Sequence, residues 1–393
     1  MRVGLVNLML FLAWPLWAVA QTLDVPIVYL ERIVPAPPTL SNLDAKPDDL
    51  GQAGAELGLQ DISTTGKFLG NAYELRVIRV GADEDFAAAA QDALSTAPFI
   101  IANAPARDIL ALADLAADLA DADRALIFNA ATPDINLRDQ DCRANILHTL
   151  PSRAMLADAL SQFAVKKRWT NWAMIQGPRP EDQRFSDALA HSAAKFGIDI
   201  TDTKDWTFDA DLRRSAAQEV PLFTQDFDDH DLLIVADETN DFARYVQFNT
   251  WLPRPLAGSW GITPTAWSAS VEQHGAAQLQ SRFTELAGRP MQAEDYAAML
   301  AMSAIGEAVT RTKSADPQTL RNYMLSADFE LGGFKGRPLS FRDWNGQMRQ
   351  PIPLAHPGAV VALAPLEGFL HQFNELDTLG IDRPTSSCTA FSE

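Results

Sequence analysis

"YELRVIRVGADEDFAAAAQDALSTAPFIIAN", residues 73–103, carries the reading on which the fold turns. Its opening, "YELRVIRV", is rich in β-branched and apolar side chains, as a strand requires. "DEDFAAAAQDAL" reads as a helix with acids in its first turn, which the helix dipole favours. "APFIIAN" is a second strand, ending at Asn103. Strand, helix and strand in succession call for parallel pairing through right-handed crossovers, with helices on both faces of the sheet.

Working outward, the same unit repeats. Upstream, "VPIVYLE" (residues 25–31) is a buried strand. A stretch with Pro35, Pro37, Pro38 and Pro47 follows, long for such a connection, and long loops are usually functional or disordered. "DDLGQAGAELGLQDIS" is a helix with Gly51, Gly54 and Gly58 on roughly one side. No G-x-G-x-x-G is present, so these glycines read as close helix–sheet packing rather than phosphate binding. Downstream come the helix "ARDILALADLAADLA" and the strand "RALIFNA".

The pattern restarts near Pro151. "AMLADALSQFAV" places Leu156, Leu160 and Phe163 at helical spacing. "NWAMIQG", "DLLIVAD" and "RPLAGSW" read as strands, and "EDQRFSDALAHSAAKFG" as a helix ended by Gly197. A third run is helical, with Pro317 just inside its last helix, where a missing N–H costs nothing. The chain then closes with "GGFKGRPLSFRDWNGQMRQPIPL" (residues 332–354) and the apolar "AVVALAP". Asn345-Gly346 is a strong hairpin signal, because both turn residues must accept positive φ. In that reading Leu339 and Phe341 lie on one arm and Met348, Ile352 and Leu354 on the other. The expected class is α/β: two doubly wound Rossmann-like lobes, with the third run shared between them.

The 393 residues suffice for such a pair, and 47% of them are hydrophobic. A formal net charge of −19 repels nucleic acid and anionic membranes, which argues against both as partners. "MRVGLVNLMLFLAWPLWAVA" has one basic residue, an apolar run and an Ala18-Val19-Ala20 site, which predicts export with cleavage after Ala20. The run is short for a transmembrane span. Two cysteines, Cys142 and Cys388, form an even pair in an oxidising compartment. That suggests a disulfide; two separate buried thiols are the alternative. The six histidines show no zinc-ligand spacing.

Catalytic motifs are missing: there is no G-x-S-x-G, H-E-x-x-H or P-loop. "TQDFDDHD" fails as a calcium loop, since Asp231 stands where glycine is needed. No enzyme activity and no cofactor are expected. The informative positions are the carboxyl ends of parallel strands, where ligands bind open α/β sheets. In the first unit these are Glu31, then Asn103, Ala104 and Pro105, then Asn129, Ala130, Ala131 and Thr132. In the second they are Gln176, Gly177 and Pro178, then Asp237 and Glu238, then Ser259, Trp260 and Gly261. Asp237 and Glu238 could serve acid–base work, but a binding or structural role fits better without a third partner. Trp260 and Trp267 fit either core packing or a cleft wall.

"QAGAELGLQDIS" and the closing hairpin resemble the first helix and late segment of type I periplasmic solute-binding proteins, in the branched-chain amino acid receptor group of ABC transporters. Four stretches, "RDQDCRANILHTLPSRAMLADAL", "LQSRFTELAGRPM", "AIGEAVTRTKSADPQTLR" and "EGFLHQFNELDTLGIDRPTSSC", are similar to a subgroup associated with pyrroloquinoline quinone (PQQ) dependent alcohol dehydrogenase systems. The resemblance implies three crossovers between lobes and a closing hairpin in the second lobe. It implies a signal peptide at 1–20, a first lobe of 21–150 plus 269–340 and a second of 151–268 plus 341–393. Joints would fall near Pro151, Ser268 and Phe341. It also implies a monomeric periplasmic protein that takes a small molecule between its lobes and hands it to a permease in the inner membrane. Rival readings are a ligand sensor, a non-transport accessory protein or scaffold, and an exported enzyme. Two departures stand out: "NAATPD" keeps Thr132 as its one hydroxyl where the receptors carry a Ser/Thr-rich loop, and "DQRFSD" replaces their Tyr-Gly.

Overall fold

Alternation along the early strands sends each side chain to one of two faces, and both faces are buried. A computed structural model describes residues 22–35, 46–119, 125–207 and 212–391. The export signal expected at 1–20 lies outside the described residues. Within them, no helix is long and apolar enough to cross a membrane.

The first lobe is built from β1 (Leu23–Arg32), α1 (Gln52–Leu69), β2 (Asn71–Val80), α2 (Phe86–Thr96), β3 (Phe99–Asn103), α3 (Ala106–Asp118), β4 (Leu126–Asn129) and β5 (Ile146–His148). Its sheet is parallel, in the order β2-β1-β3-β4-β5. Val28, Leu30, Ile100 and Ile127 face α2 and α3, while Ile27, Tyr29, Ile101 and Phe128 face the opposite side. Burial on both faces is what a parallel sheet demands.

The second lobe comprises α4 (Arg153–Lys167), β6 (Asn171–Gln176), α5 (Pro180–Phe196), β7 (Asp199–Asp205), α6 (Leu212–Thr224), β8 (Leu232–Ala236), α7 (Ala243–Val246) and β9 (Leu256–Gly258). Its sheet is again parallel, in the order β7-β6-β8-β9. Trp172, Met174 and Ile234 pack against α4 and α5. Ala173, Ile175 and Val235 pack on the other side, where Trp206 stacks on Phe242 at 4.3 Å. Ser152 caps α4 by accepting from the Met155 N–H at 3.2 Å. Gly197 ends α5 in the left-handed region, φ 68°, as its residue type predicts.

The chain continues through β10 (Thr263–Pro264), α8 (Ala276–Ala287), α9 (Ala293–Thr312), α10 (Pro317–Leu325), β11 (Leu331–Gly332), β12 (Pro338–Phe341), β13 (Met348–Arg349), β14 (Ile352–His356) and β15 (Ala359–Ala364). Helices α8 to α10 cover the free face of the first sheet. The glycines of α1 explain how closely α9 approaches: a Cβ on Gly54 would lie 1.9 Å from the Asp295 carbonyl oxygen, and one on Gly58 2.6 Å from Met302 Cβ. The close packing is therefore helix on helix at Gly54 and Gly58, and helix on sheet, as the sequence suggested, at Gly51, where a Cβ would lie 2.4 Å from Tyr29 Oη of β1.

The closing hairpin also departs from expectation. β12 and β13 pair through Phe341 and Met348, but Asn345-Gly346 is not a two-residue turn. Only Gly346 takes a positive φ, 67°, at the end of a longer loop closed by the Arg342 N–H to the Gln347 carbonyl at 2.9 Å. Ile352 and Leu354 leave the ribbon and pair with β15 instead. Leu339, Phe341 and Met348 belong to the first lobe's core, Ile352 and Leu354 to the second's. The hairpin thus sits on the first lobe, and the third passage between lobes follows Met348 rather than Phe341.

Side chains tie the three passages together. Buried Lys335 donates to the Ala266 carbonyl at 3.0 Å and to Gln350 Oε1 at 2.8 Å, and Gln350 Nε2 donates to the Thr149 carbonyl at 2.8 Å. Gln347 Nε2 reaches the carbonyls of His148 and Leu150 at 3.3 and 3.1 Å. Carbonyls of the first and second passages thereby find donors outside the sheets.

Candidate functional site

The ends of β1, β3 and β4 form one wall. Asn103 Nδ2 donates to Tyr29 Oη at 2.8 Å and to the Leu50 carbonyl at 3.2 Å, so this amide is fixed from behind. Asn129 is turned inward. Its Oδ1 accepts from the Ala131 and Thr132 N–H groups at 3.3 and 3.0 Å, and its Nδ2 donates to the Thr132 carbonyl at 2.9 Å. It shapes the loop that presents Thr132, and Ala130 is buried beneath that loop. Glu31 pairs with Arg79 Nε at 3.1 Å; burial pushes its carboxyl up, against the pull of Arg79 and Lys46.

Asp134 is the hub of the site. It accepts from the Thr132 hydroxyl and pairs with Arg153 Nη1 at 3.0 Å and Arg184 Nε at 3.1 Å. Burial alone would lift this carboxyl, but Arg153, the Thr132 hydroxyl, Arg184 and Arg138 outweigh it and hold it below the usual carboxylate range. Arg138 braces the loop from below. It donates to the Thr132, Asp134 and Leu150 carbonyls at 3.0, 2.8 and 3.0 Å, and to Gln347 Oε1 at 2.7 Å. Full burial pulls its pKa down to about 9, with Asp134 opposing.

The second-lobe strand ends are largely occupied by their own backbone. Asp237 accepts from the N–H groups of Asp241, Phe242 and Ala243, at 3.0, 2.8 and 2.8 Å, and so caps the entry to α7. Gly177 leaves room for Asp182, whose carboxylate accepts from the Glu238 N–H at 2.7 Å and the Arg179 N–H at 3.1 Å. Burial pushes Asp182 up to about 6; those N–H groups oppose the shift, while Asp237 and Glu238 add to it. Glu238 itself grips Arg153. Trp260 donates to Gln247 Oε1 at 2.6 Å beside Arg244, packed against the α6–α7 side. Trp267 is core: it stacks on Tyr296 at 4.9 Å and donates to Gln280.

Between the lobes lies a cleft of about 1490 Å³. Asn103, Ala104, Pro105, Ala131 and Thr132 line it from the first lobe. Glu31, Asn129, Ala130, Gly177, Asp237, Glu238 and Trp260 do not line it; Glu238 reaches it through Arg153, which does. The second wall is instead the side of α5, through Glu181, Arg184, Asp187, His191 and Lys195. Their spacing of three and four residues puts them on one helical stripe. Nothing in the sequence singles that stripe out, because charges at helical spacing look alike whether they face water or a cleft. Gly380, Ile381, Asp382 and Thr385 of the C-terminal tail add a further wall. Among the described residues, no group of three or more His, Cys, Asp or Glu is arranged to hold a metal ion. The cysteines are joined as Cys142–Cys388.

No protein-family model and no curated protein matches the chain. Solved structures do. A leucine-, isoleucine-, valine-, threonine- and alanine-binding protein from Brucella ovis, in a closed conformation, aligns with a TM-score of 0.69 at 16% identity, over 94% of this chain and 99% of that one. A periplasmic binding protein from Burkholderia mallei aligns at 0.65 and 13% identity, over 95% and 100%. An ABC transporter solute-binding protein from R. palustris, in complex with benzoate, aligns at 0.62 and 13% identity, over 93% and 99%. At such identities the likeness establishes the fold: two Rossmann-like lobes of the type I periplasmic binding protein architecture.

Proposed function

We propose that this protein is a periplasmic substrate-binding protein of an ABC transporter, which captures a small organic molecule between its lobes and presents it to an inner-membrane permease. The observation that carries the reading is the cleft of about 1490 Å³ between two lobes joined at three passages, with Asn103, Ala104 and Thr132 on its wall. Hinge closure around such a cleft buries the ligand without any catalytic step. The fold's solved examples include binding proteins with bound benzoate and leucine, which points to small carboxylates as the first class to try.

In this reading Asn103, Ala104 and Thr132 meet the ligand. Glu31, Asn129, Ala130, Gly177, Asp237 and Glu238 position the elements around it, and Trp260 packs behind the second lobe. The lobes are 21–150 plus 269–348 and 151–268 plus 349–380, with the tail beyond Gly380 running back to the first lobe and the export signal before them. The protein acts as a periplasmic monomer, without nucleic acid and without catalysis. A link to PQQ-dependent alcohol oxidation rests on the four resembling stretches.

A second reading, a ligand sensor or accessory protein on the same fold, is favoured by one observation. Asp134, Arg153, Arg184 and Glu238 satisfy each other's charges at the strand ends.

The test is thermal denaturation of the exported protein against amino acids, aromatic and aliphatic carboxylates, alcohols, PQQ and lanthanide ions. A true ligand at a hundred times its Kd stabilises by about 2.7 kcal/mol. Small-angle scattering with that compound should show a smaller radius of gyration. If no compound of the panel shifts the transition, the accessory reading replaces the transport reading.

A further inference from the structure

The C-terminal tail runs from one lobe to the other along the side of the cleft. At its start it belongs to the second lobe. Leu379 is in that core, the Gly380 N–H donates to Asp158 Oδ2 at 2.7 Å, and Lys195 Nζ reaches the Gly380 carbonyl at 3.2 Å. At its end it belongs to the first lobe. The Ser387 N–H donates to Asp139 Oδ1 at 2.5 Å, Arg383 pairs with Asp343, and Cys388 is bonded to Cys142. Beyond the bond, the Phe391 ring lies 5.2 Å from the Arg321 guanidinium. In between, Gly380, Ile381, Asp382 and Thr385 face the cleft.

We propose that residues 380–388 form a covalent strap: a fourth connection between the lobes, which walls the ligand cleft and limits how far the lobes part. The proposal rests on the reading of that cleft as the ligand site, and deepens it.

The argument is one of attachment. The tail has little apolar content to hold it, with Pro384, Ser386 and Ser387 in its last turn. Between Gly380 and Cys388 its contacts are surface ion pairs and single hydrogen bonds, each worth little alone, and past the bond Phe391 rests on the first-lobe core. The disulfide converts these into a fixed strap by keeping the chain end beside Asp139. Without it, the segment would fray like other exposed termini. Ile381, Asp382 and Thr385 would then leave the cleft wall, while Leu379 and Gly380 stay on the second lobe. A ligand contacting the strap would lose those contacts as well.

The test compares the oxidised protein with the C142S/C388S double variant. The same protein, reduced and alkylated under native conditions, guards against a folding failure of the variant. Hydrogen exchange of the tail is read peptide by peptide by mass spectrometry. Release of the strap should raise exchange over residues 381–388 at least about tenfold, with the centre of β8 unchanged as an internal reference. Unchanged exchange over 381–388, with both thiols verified free or replaced, overturns the proposal. Benzoate is the second probe. If it stabilises the oxidised protein, strap release should weaken its apparent affinity at least about fivefold, through lost contacts and a wider mean opening. Equal affinity in both forms overturns the strap as a wall. If benzoate does not bind even the oxidised protein, that result bears on the functional reading, and exchange over residues 381–388 decides the strap by itself.

Discussion

Arg153 and Glu238 form a two-pronged ion pair, with Nε 2.8 Å from Oε1 and Nη2 2.6 Å from Oε2. The third face of the same guanidinium holds Asp134 of the first lobe. One side chain at the start of α4 therefore joins the first passage, the first-lobe loop and the end of β8. Its side chain is only 4% exposed, so its charge there depends on a carboxylate partner.

Arg153→Met should leave Glu238 without its cation and Asp134 with Arg184 in place of two arginines. We expect a loss of about 3 kcal/mol at pH 7, measured by urea denaturation. Glu238→Gln should cost less, because Asp134 still neutralises Arg153. The double variant should fall well short of the sum, since both substitutions remove the same interaction. Full additivity would show that the pair is not coupled.

Asp182 and Asp134 should respond to pH with opposite signs. The folded pKa of Asp182 is raised to about 6, above its unfolded value, so its contribution is fully present at pH below about 4 and is lost as pH rises through 6. Asp134 is depressed, so its contribution is present above about pH 4 and is lost as pH falls through its lower folded value. Asp182→Asn should flatten the wild-type slope between pH 4 and 7 by about 2–3 kcal/mol. Asp134→Asn should leave that window unchanged and remove a loss on the acid side. Urea midpoints at several pH values decide it.

Lys335→Met should loosen the joints. The Ala266 carbonyl and Gln350 Oε1 would both be left without their donor, a cost of about 2 kcal/mol or more. Hydrogen exchange should rise at residues 149–150 and 266–267, with the strand centres of β1 and β8 unaffected. Uniform exchange across the molecule would mean that Lys335 supports a core rather than the joints.

Gly54→Ala reverses the ordinary rule for helices. In an exposed helix the change would gain about 1 kcal/mol. Here the new methyl would collide with the Asp295 backbone at 1.9 Å, so α1 and α9 must separate, and we expect a net loss of about 2–4 kcal/mol. Gly58→Ala should behave alike, with a smaller loss because its nearest obstacle, Met302 Cβ, stands 2.6 Å away rather than 1.9 Å. Thermal unfolding of the two variants checks both the sign and the order.

Much of the first lobe was legible because its strands are short apolar runs bounded by breakers. Residues 25–31, 73–80 and 99–103 all fall within observed strands. β7 was not legible. "DITDTKD" is an edge strand with alternating exposed and half-buried residues, so no apolar run announces it. The hairpin was half legible: Gly346 does take the positive φ, but which lobe claims each arm depends on neighbours far away in the chain.

The sequence by itself determined the α/β alternation, and it pointed to the cysteine pairing and the strand ends where a ligand would be sought. Each of these depends on local pattern or on counting, and local pattern survives without knowledge of the whole. Tertiary structure alone decided that Asp134, Arg153, Arg184 and Glu238 meet, that Asp237 serves as a cap, and that α5 and the tail wall the cleft. A charged side chain looks the same in sequence whether it faces water or another lobe. Only the three passages of the chain, which bring residues such as Arg153 and Glu238, 85 positions apart, to within hydrogen-bonding distance, distinguish the two.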